Sequence, residues 1–258
     1  MLTAALYGLL ASSGLLVGAL VGCFAMPSRR VVAAIIAFGS GVLVSALSVE
    51  LMEDAFAKGS AAAALGGFLL GAVLFVVADV GLERSAGAGR RTGRDPGDVV
   101  PAATPAAKPG QQAVVGGTAL LLGAVINGIP ENAAIGIGLA AEGRGLGLVL
   151  LGAVFLGNVP ESIGSAVGMR AGGHSRRYVV AVWGAVAVCC TLASVLGYAL
   201  LGGLPPEYIG AMMALAAGGI LAMLADSMMP QAFEDGGPFV ALATALGFAC
   251  AFSLSHLT

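Results

Sequence analysis

Two short passages of the sequence pair a proline with a glutamate inside otherwise apolar stretches. In each passage the proline directly precedes the glutamate, and an asparagine lies three or four residues before that glutamate. Residues at this spacing share one face of a helix, so each passage predicts an amide beside a carboxylate. The passages are Asn127-Gly128-Ile129-Pro130-Glu131-Asn132 and Gly157-Asn158-Val159-Pro160-Glu161-Ser162.

The prolines predict a second source of oxygen ligands. Because proline has no N–H, the carbonyl four residues earlier loses its helical hydrogen bond. We expect the carbonyls of Ile126 and Leu156 to be released in helices broken at the proline, where they could turn toward a ligand. Carboxylates, amide oxygens and carbonyls together would form a site for a divalent cation. The alternative is two kinked packing helices whose glutamates are protonated and bonded to neighbours.

Three further acids, Glu50, Asp79 and Asp226, lie near the ends of other apolar stretches. No Lys, Arg or His lies at a comparable depth in these stretches. An ionised side chain inside a membrane is costly and faces a cavity or a partner. The acids are therefore either protonated or visited by a cation. We interpret Glu50 and Asp226 as candidate relay acids on the path of such a cation.

The composition is that of an integral membrane protein. Of 258 residues, 58% are hydrophobic and 10% are charged, with a mean hydropathy of +0.97. Soluble domains carry about 25% charged residues, and the net charge of −2 argues against nucleic acid as a partner. The four cysteines have no C-x-x-C spacing and are expected to be small core residues. Eight apolar windows predict spans at 4–25, 31–52, 61–82, 113–139, 145–169, 178–202, 207–229 and 238–256.

The cations predict an orientation for this single polytopic domain of residues 1–258. The one long polar segment, 84–112, is rich in Gly, Pro, Ala and Arg and is expected to be a flexible cytoplasmic loop. Both termini would then face outward. Trp183 and Tyr178 would anchor the start of span six at the membrane interface. Ten cations would lie inside, at Arg29, Arg30, Arg84, Arg90, Arg91, Arg94, Lys108, Arg170, Arg176 and Arg177, against Lys58 and Arg144 outside.

The spans are rich in small residues and contain a faint internal echo. The 41 glycines predict close helix packing in lipid. Residues 41–56 align with residues 218–233 at an offset of 177, with Gly, Leu, Met, Ala and Phe at matched places. Glu50 and Asp226 fall one position apart in this alignment. Since the two spans would run in opposite directions, the echo predicts the inverted repeats typical of secondary transporters.

These residues resemble the ZIP (zinc–iron permease, Zrt/Irt-like) family of divalent metal transporters. The two proline–glutamate passages take the places of the family's signatures in spans four and five. The run Ala37-Phe38-Gly39-Ser40-Gly41-Val42-Leu43, followed by Val49-Glu50-Leu51-Met52, looks like its second span, and Leu224-Ala225-Asp226-Ser227-Met228-Met229-Pro230 looks like its seventh. The resemblance implies an all-α, eight-helix 3+2+3 bundle with inverted repeats, outward termini and a homodimer.

The chain departs from the family at the motif histidines. Asn127 stands where the span-four signature has His, Gly128 replaces the next Asn, and Gly157 takes the span-five His position. The resemblance then implies that Glu131, Asn158 and Glu161 contact the metal, with Asn127 a further candidate. Zinc usually recruits imidazole or thiolate, whereas an oxygen-only site suits Mn²⁺, Fe²⁺ or Mg²⁺, or a loosely held Zn²⁺.

The sequence thus predicts a permease of the inner (cytoplasmic) membrane that moves a divalent metal ion as its substrate, without a prosthetic group. Three alternatives stay open. The scaffold could carry a non-metal solute, or it could be a non-transporting relative of the family. An intramembrane hydrolase using the two carboxylates is disfavoured, since the chain has no G-x-G-D passage, no H-E-x-x-H motif and no Ser–His arrangement. We therefore expect no enzymatic activity.

Overall fold

The protein is built from apolar helices of membrane-spanning length. A computed structural model of the chain describes residues 1–25, 27–85, 128–140, 144–201 and 204–256. In these ranges 92% of the residues are helical and there is no strand. Six helical stretches are long and apolar enough to cross a membrane. The predicted all-α class with membrane-spanning helices is therefore confirmed, while the count of eight spans stays a prediction.

Ten α-helices and two short π-helical segments make up the described part of the chain. The π segments are Leu47–Met52 and Leu224–Met228. The α-helices are α1 Leu2–Phe24, α2 Arg29–Ala46, α3 Glu53–Lys58, α4 Ala61–Ser85, α5 128–140, α6 Arg144–Ala171, α7 Arg176–Leu201, α8 Pro206–Met223, α9 Met229–Gly236 and α10 Val240–Ser255.

Several predicted boundaries differ from the observed ones. The second span runs over Arg29–Lys58 and the seventh over Pro206–Gly236, each longer than its window. The second window ended before Glu53 and Asp54, whereas the helix continues over them, and Lys58 Nζ pairs with Asp54 Oδ2 at 3.1 Å, one turn away. Helix α4 continues through Ser85, so the predicted loop cannot begin at residue 84. The rest of that loop, and window 113–139 up to residue 127, lie outside the described residues.

The helices pack in four main pairs. Helix α1 packs against both α6 and α7, α2 packs against α10, and α4 packs against α8. Helix α2 also contacts α6, and α8 contacts α3 and the first π segment, so these pairs form one bundle. Much of the outward-facing apolar surface lies on α4, of which only 17% of the spanning window is buried. Such surface is expected where a helix faces lipid.

Glycines set how closely the paired helices approach. In α4 and α8, a Cβ on Gly71 would collide with the carbonyl oxygen of Leu215, and one on Gly218 would collide with that of Phe68. The same reciprocal contact joins α2 to α10 and α5 to α7, each through one glycine on either helix. The backbones therefore touch at these crossings, as small residues permit in lipid.

Helix α1 uses glycine in a repeating pattern against α6. A Cβ on Gly14 would come 3.2 Å from Asn158 Cβ, one on Gly18 would collide with Ser162 Oγ, and one on Gly22 would come 2.8 Å from the carbonyl oxygen of Ile163. These glycines are spaced four residues apart and form one stripe along the helix. The stripe brings α1 onto the face of α6 that carries the second proline–glutamate passage.

The two π segments occupy matching positions in the echo seen in the sequence. Leu47 and Leu224, where the segments begin, are separated by the same offset of 177 residues as Gly41 and Gly218. Gly41 and Gly218 also make the same kind of contact, each against a carbonyl of the helix paired with it. A π segment within a helix is frequent at functional sites.

Two expectations about individual side chains are wrong. Trp183 is 0% exposed and packs with Leu15 and Met169 in a buried cluster, so it does not lie at the interface, whereas Tyr178 is exposed. Cys23 and Cys190 are buried, but Cys189 and Cys250 are exposed. In an apolar span the hydropathy of a residue does not distinguish the lipid-facing side from the packed side, because both are apolar.

We predict that the Gly71→Ala substitution destabilises the bundle while Gly66→Ala does not. Overpacking costs about 1–3 kcal/mol, and the new methyl group would displace the backbone of α8. Gly66 lies in the same helix with no atom within 4 Å of a built Cβ, so alanine there should be neutral or gain up to about 1 kcal/mol. Unfolding by SDS titration in mixed micelles, followed by the fluorescence of the single tryptophan, measures both. Equal effects of the two variants would contradict the close crossing.

Candidate functional site

The two passage glutamates lie close to each other inside the bundle. Glu131 is in the first described turn of α5 and is 2% exposed, while Glu161 is half-buried in the middle of α6. The negative charge of Glu161 acts on the Glu131 carboxyl. The structure thus brings together two acids that are 30 residues apart in sequence.

Helix α6 is not broken at Pro160. It runs without interruption from Arg144 to Ala171 with the proline inside, so the prediction of a broken helix here is wrong. Ser162 adds side-chain hydrogen bonds within this turn. Ser162 Oγ donates to the carbonyl oxygens of Asn158 at 2.8 Å and Val159 at 3.1 Å. The carbonyl of Leu156, which the proline deprives of its partner, faces Gly39 of α2, where a built Cβ would be 3.4 Å from the oxygen.

Of the two polar atoms of the Asn158 amide, only the nitrogen has a hydrogen-bond partner among the described residues. Its Nδ2 donates to the carbonyl oxygen of Ala11 in α1 at 3.1 Å. Its Oδ1 is buried and accepts no hydrogen bond from any part of the chain that the structure describes. A buried acceptor without a donor costs free energy unless a ligand or water satisfies it. Asn158 is therefore a credible oxygen ligand one turn before Glu161.

Asn132 is a residue whose role sequence reasoning missed. Its Nδ2 donates to the carbonyl oxygen of Gly128 at 2.8 Å, and its Oδ1 accepts from Ser12 Oγ of α1 at 3.0 Å. Both side chains are 0% exposed. This pair of bonds ties the helix of Glu131 to α1, the helix that also holds Asn158. Asn132 directly follows Glu131 in the sequence, but no spacing in the sequence indicated that Ser12 is its hydrogen-bond partner.

Cys190 of α7 is a second neighbour that the sequence did not reveal. The charge of Glu131, and more weakly that of Glu161, acts on its thiol. A Cβ built on Gly128 would come 2.7 Å from Cys190 Sγ. The Cys190 thiol thus occupies the space that a side chain at position 128 would need. Since Cys190 is about 30 residues from Glu161 and follows no motif, only the fold could identify it.

The histidine position of the second passage is filled by an apolar neighbour. A Cβ on Gly157 would come 3.1 Å from Leu43 Cδ1 of α2. A side chain at position 157 would therefore require Leu43 to shift. Asn127, the counterpart in the first passage, lies outside the described residues.

A narrow pocket leads to Glu131. It contains about 150 Å³ of empty volume, its open mouth included. Among the described residues that line it, Glu131 alone is ionisable, and the others are apolar apart from backbone. The pocket lies between α4, α5 and α8 and is lined by Phe75, Pro130, Glu131, Gly219, Ile220 and Met223.

The two candidate relay acids lie one in each π segment. Glu50 is 9% exposed in the first segment, whereas Asp226 is exposed in the second. Asp79 lies half-buried near the end of α4. Over the described ranges, no three His, Cys, Asp or Glu side chains form a group able to hold a metal ion. A metal site here would therefore need amide or backbone oxygens beside the two glutamates.

No model of a known protein family matches the sequence, and no curated protein matches it either. The resemblance to the ZIP family therefore depends on the motifs and on the topology expected from the sequence.

We predict that Ser12→Ala lowers the stability of the protein more than Ser13→Ala. Ser12 makes the hydrogen bond between helices to Asn132, whereas Ser13 Oγ donates at 2.6 Å to Leu10 within its own helix. Hydrogen bonds between membrane helices contribute about 0.6 kcal/mol on average and up to about 1.7 kcal/mol. A cycle combining Ser12→Ala with Asn132→Ala isolates the pair, and a coupling energy of zero would show that the bond does not stabilise α1 against α5.

Proposed function

We propose that the protein is a permease that moves a divalent metal cation across the cytoplasmic membrane through an intramembrane Glu/Asn site. The observation that carries the proposal is the mutual proximity of Glu131 and Glu161 among apolar helices. Two like charges at this depth are unfavourable unless a proton or a cation lies between them. A doubly charged cation would neutralise both.

The ligand set would combine side chains from two helices. Glu131 and Glu161 would supply the charge and could bridge two ions. Asn158 would add the amide oxygen that has no hydrogen-bond donor among the described residues. Asn127 would complete the set from the turn before Glu131. Such a site matches the preference of Mn²⁺, Fe²⁺ and Mg²⁺ for oxygen, and it would hold Zn²⁺ loosely.

An eight-helix arrangement of inverted repeats would suit this function. Two observations support it: the π segments at matching positions in the second and seventh spans, and the matching glycine crossings of α2 with α10 and of α4 with α8. In transporters of this kind the site lies between the repeats, and alternating access moves one part against the other. Glu50 and Asp226, one in each π segment, would then relay the ion on either side. Outward termini, a cytoplasmic loop between α4 and α5 and a homodimer complete the proposal.

A second candidate function is transport of a non-metal solute on the same scaffold. It is favoured by the lack of a three-residue metal-binding group in the described ranges and by Leu43 at the histidine position. Equilibrium binding of Mn²⁺, Fe²⁺, Zn²⁺ and Mg²⁺ to the purified protein distinguishes the two. A metal permease should bind at least one of these ions saturably. A transporter of a non-metal solute should bind none of them saturably.

We predict that Glu131→Gln and Glu161→Gln each reduce metal uptake into proteoliposomes by at least about 10-fold, because each removes a charge that the ion needs. Glutamine keeps the size of the side chain and can still hydrogen-bond. Glu207→Gln, at the exposed start of α8, is the control and should keep uptake within about two-fold of the parent. Uptake that is unchanged in both site variants would refute the site.

We also predict that uptake falls as the external pH is lowered. A metal ligand must be deprotonated, so protons compete with the ion for Glu131 and Glu161. Raising the metal concentration at low pH should restore part of the rate, as expected of competition. Uptake rates measured between pH 5 and 8 at two metal concentrations, on the order of ten-fold apart, test this. A rate independent of pH would indicate that the two acids do not release protons to the incoming ion.

A further inference from the structure

Three arginines gather where α6 ends and α7 begins. Arg170 lies in the last turn of α6, and Arg176 and Arg177 form the first turn of α7. The charges of both Arg170 and Arg176 act on the buried Cys23 thiol at the end of α1, so these two guanidinium groups lie near the same point. Cationic side chains therefore converge at the junction of three helices.

The turn between the two helices is tightly built. Gly173 has φ of +91°, a conformation that suits glycine, and His174 N donates to the carbonyl oxygen of Met169 at 3.1 Å. Arg170 Nη1 donates to the carbonyl oxygen of His174, and the His174 ring stacks on Tyr178 with ring centroids 4.9 Å apart. The turn thus holds Arg170 beside the start of α7.

The arginines have no acidic partner in the part of the chain that is described. No carboxylate there lies within ion-pair distance of Arg170, Arg176 or Arg177, and the first turn of α7 contains no acid. Arg176 instead lies 4.7 Å above the ring of Phe24, which is 63% exposed. This arrangement would be stabilised by an anion.

The position of the three arginines indicates which kind of anion would bind there. The candidate spanning stretch of α6 ends at Ala171 and that of α7 begins at Arg176, so we expect the turn at the level of the lipid headgroups. Exposed Phe24 and Tyr178 offer aromatic surface of the kind found at the membrane interface. Basic pockets between membrane helices bind anionic headgroups. We propose that Arg170, Arg176 and Arg177 bind the phosphate of an anionic phospholipid at the α1–α6–α7 junction.

Binding there would connect the headgroup layer to the helices of the candidate site. Helix α6 carries Glu161, and α7 carries Cys190 and packs against α5. A lipid phosphate between the ends of α1, α6 and α7 would hold these helices together. The proposal does not depend on what the protein transports.

Native mass spectrometry of the purified protein, titrated with phosphatidylglycerol or phosphatidylcholine, tests the proposal. We expect phosphatidylglycerol to be retained about 10-fold more strongly than phosphatidylcholine, and the preference to disappear in the Arg170→Gln/Arg176→Gln variant. The Arg29→Gln/Arg30→Gln variant removes two cations at the start of α2 and should keep the preference. The Arg170→Lys/Arg176→Lys variant keeps the charge and should restore most of it, which excludes loss by misfolding.

Two outcomes would overturn the proposal. The first is a preference that is absent from the parent protein, or that falls equally in both glutamine variants. The second is displacement of phosphatidylglycerol by millimolar inorganic phosphate, which would assign the arginines to a free anion rather than to a lipid.

Discussion

The proposed function depends on two acidic side chains that lie near each other in an apolar bundle. Glu131 is buried and feels the charge of Glu161 from the neighbouring passage. In water such a pair costs little, but at low dielectric the same separation is strongly unfavourable. The spans contain no cation of their own at that depth. A proton or a cation between the two side chains would reduce this cost.

The close helix crossings keep this pair in place. Glycines of α1 let it rest directly on the face of α6 that carries Asn158 and Ser162. In α1, the carbonyl oxygen of Ala11 accepts a hydrogen bond from the Asn158 amide, and the Ser12 hydroxyl donates one to Asn132 Oδ1. One helix therefore holds both proline–glutamate passages through buried hydrogen bonds, which are favoured in lipid because no water competes for them. The two acids cannot easily move apart to relieve their repulsion.

The sequence predicted the class of the fold and the pairing of Glu131 with Glu161, since apolar length and motif spacing are local properties. It did not predict that α6 continues through Pro160, because the packing of α6 against α1 and α2 is not local in sequence. Cys190 and Ser12 came from elements distant in sequence. Trp183 was misplaced because an apolar helix gives no periodic difference between lipid and core. The internal echo was more informative, since it matched the two π segments.

Anomalous diffraction from crystals soaked with Mn²⁺ or Zn²⁺ tests the central claim most directly. We expect a difference peak between the carboxylates of Glu131 and Glu161, roughly 2.0–2.6 Å from their oxygens and within reach of Asn158 Oδ1. The peak should vanish in crystals of the Glu131→Gln/Glu161→Gln variant. Soaked crystals that show metal only at surface residues, with the two acids sharing a proton or bonded to neighbours, would contradict the claim.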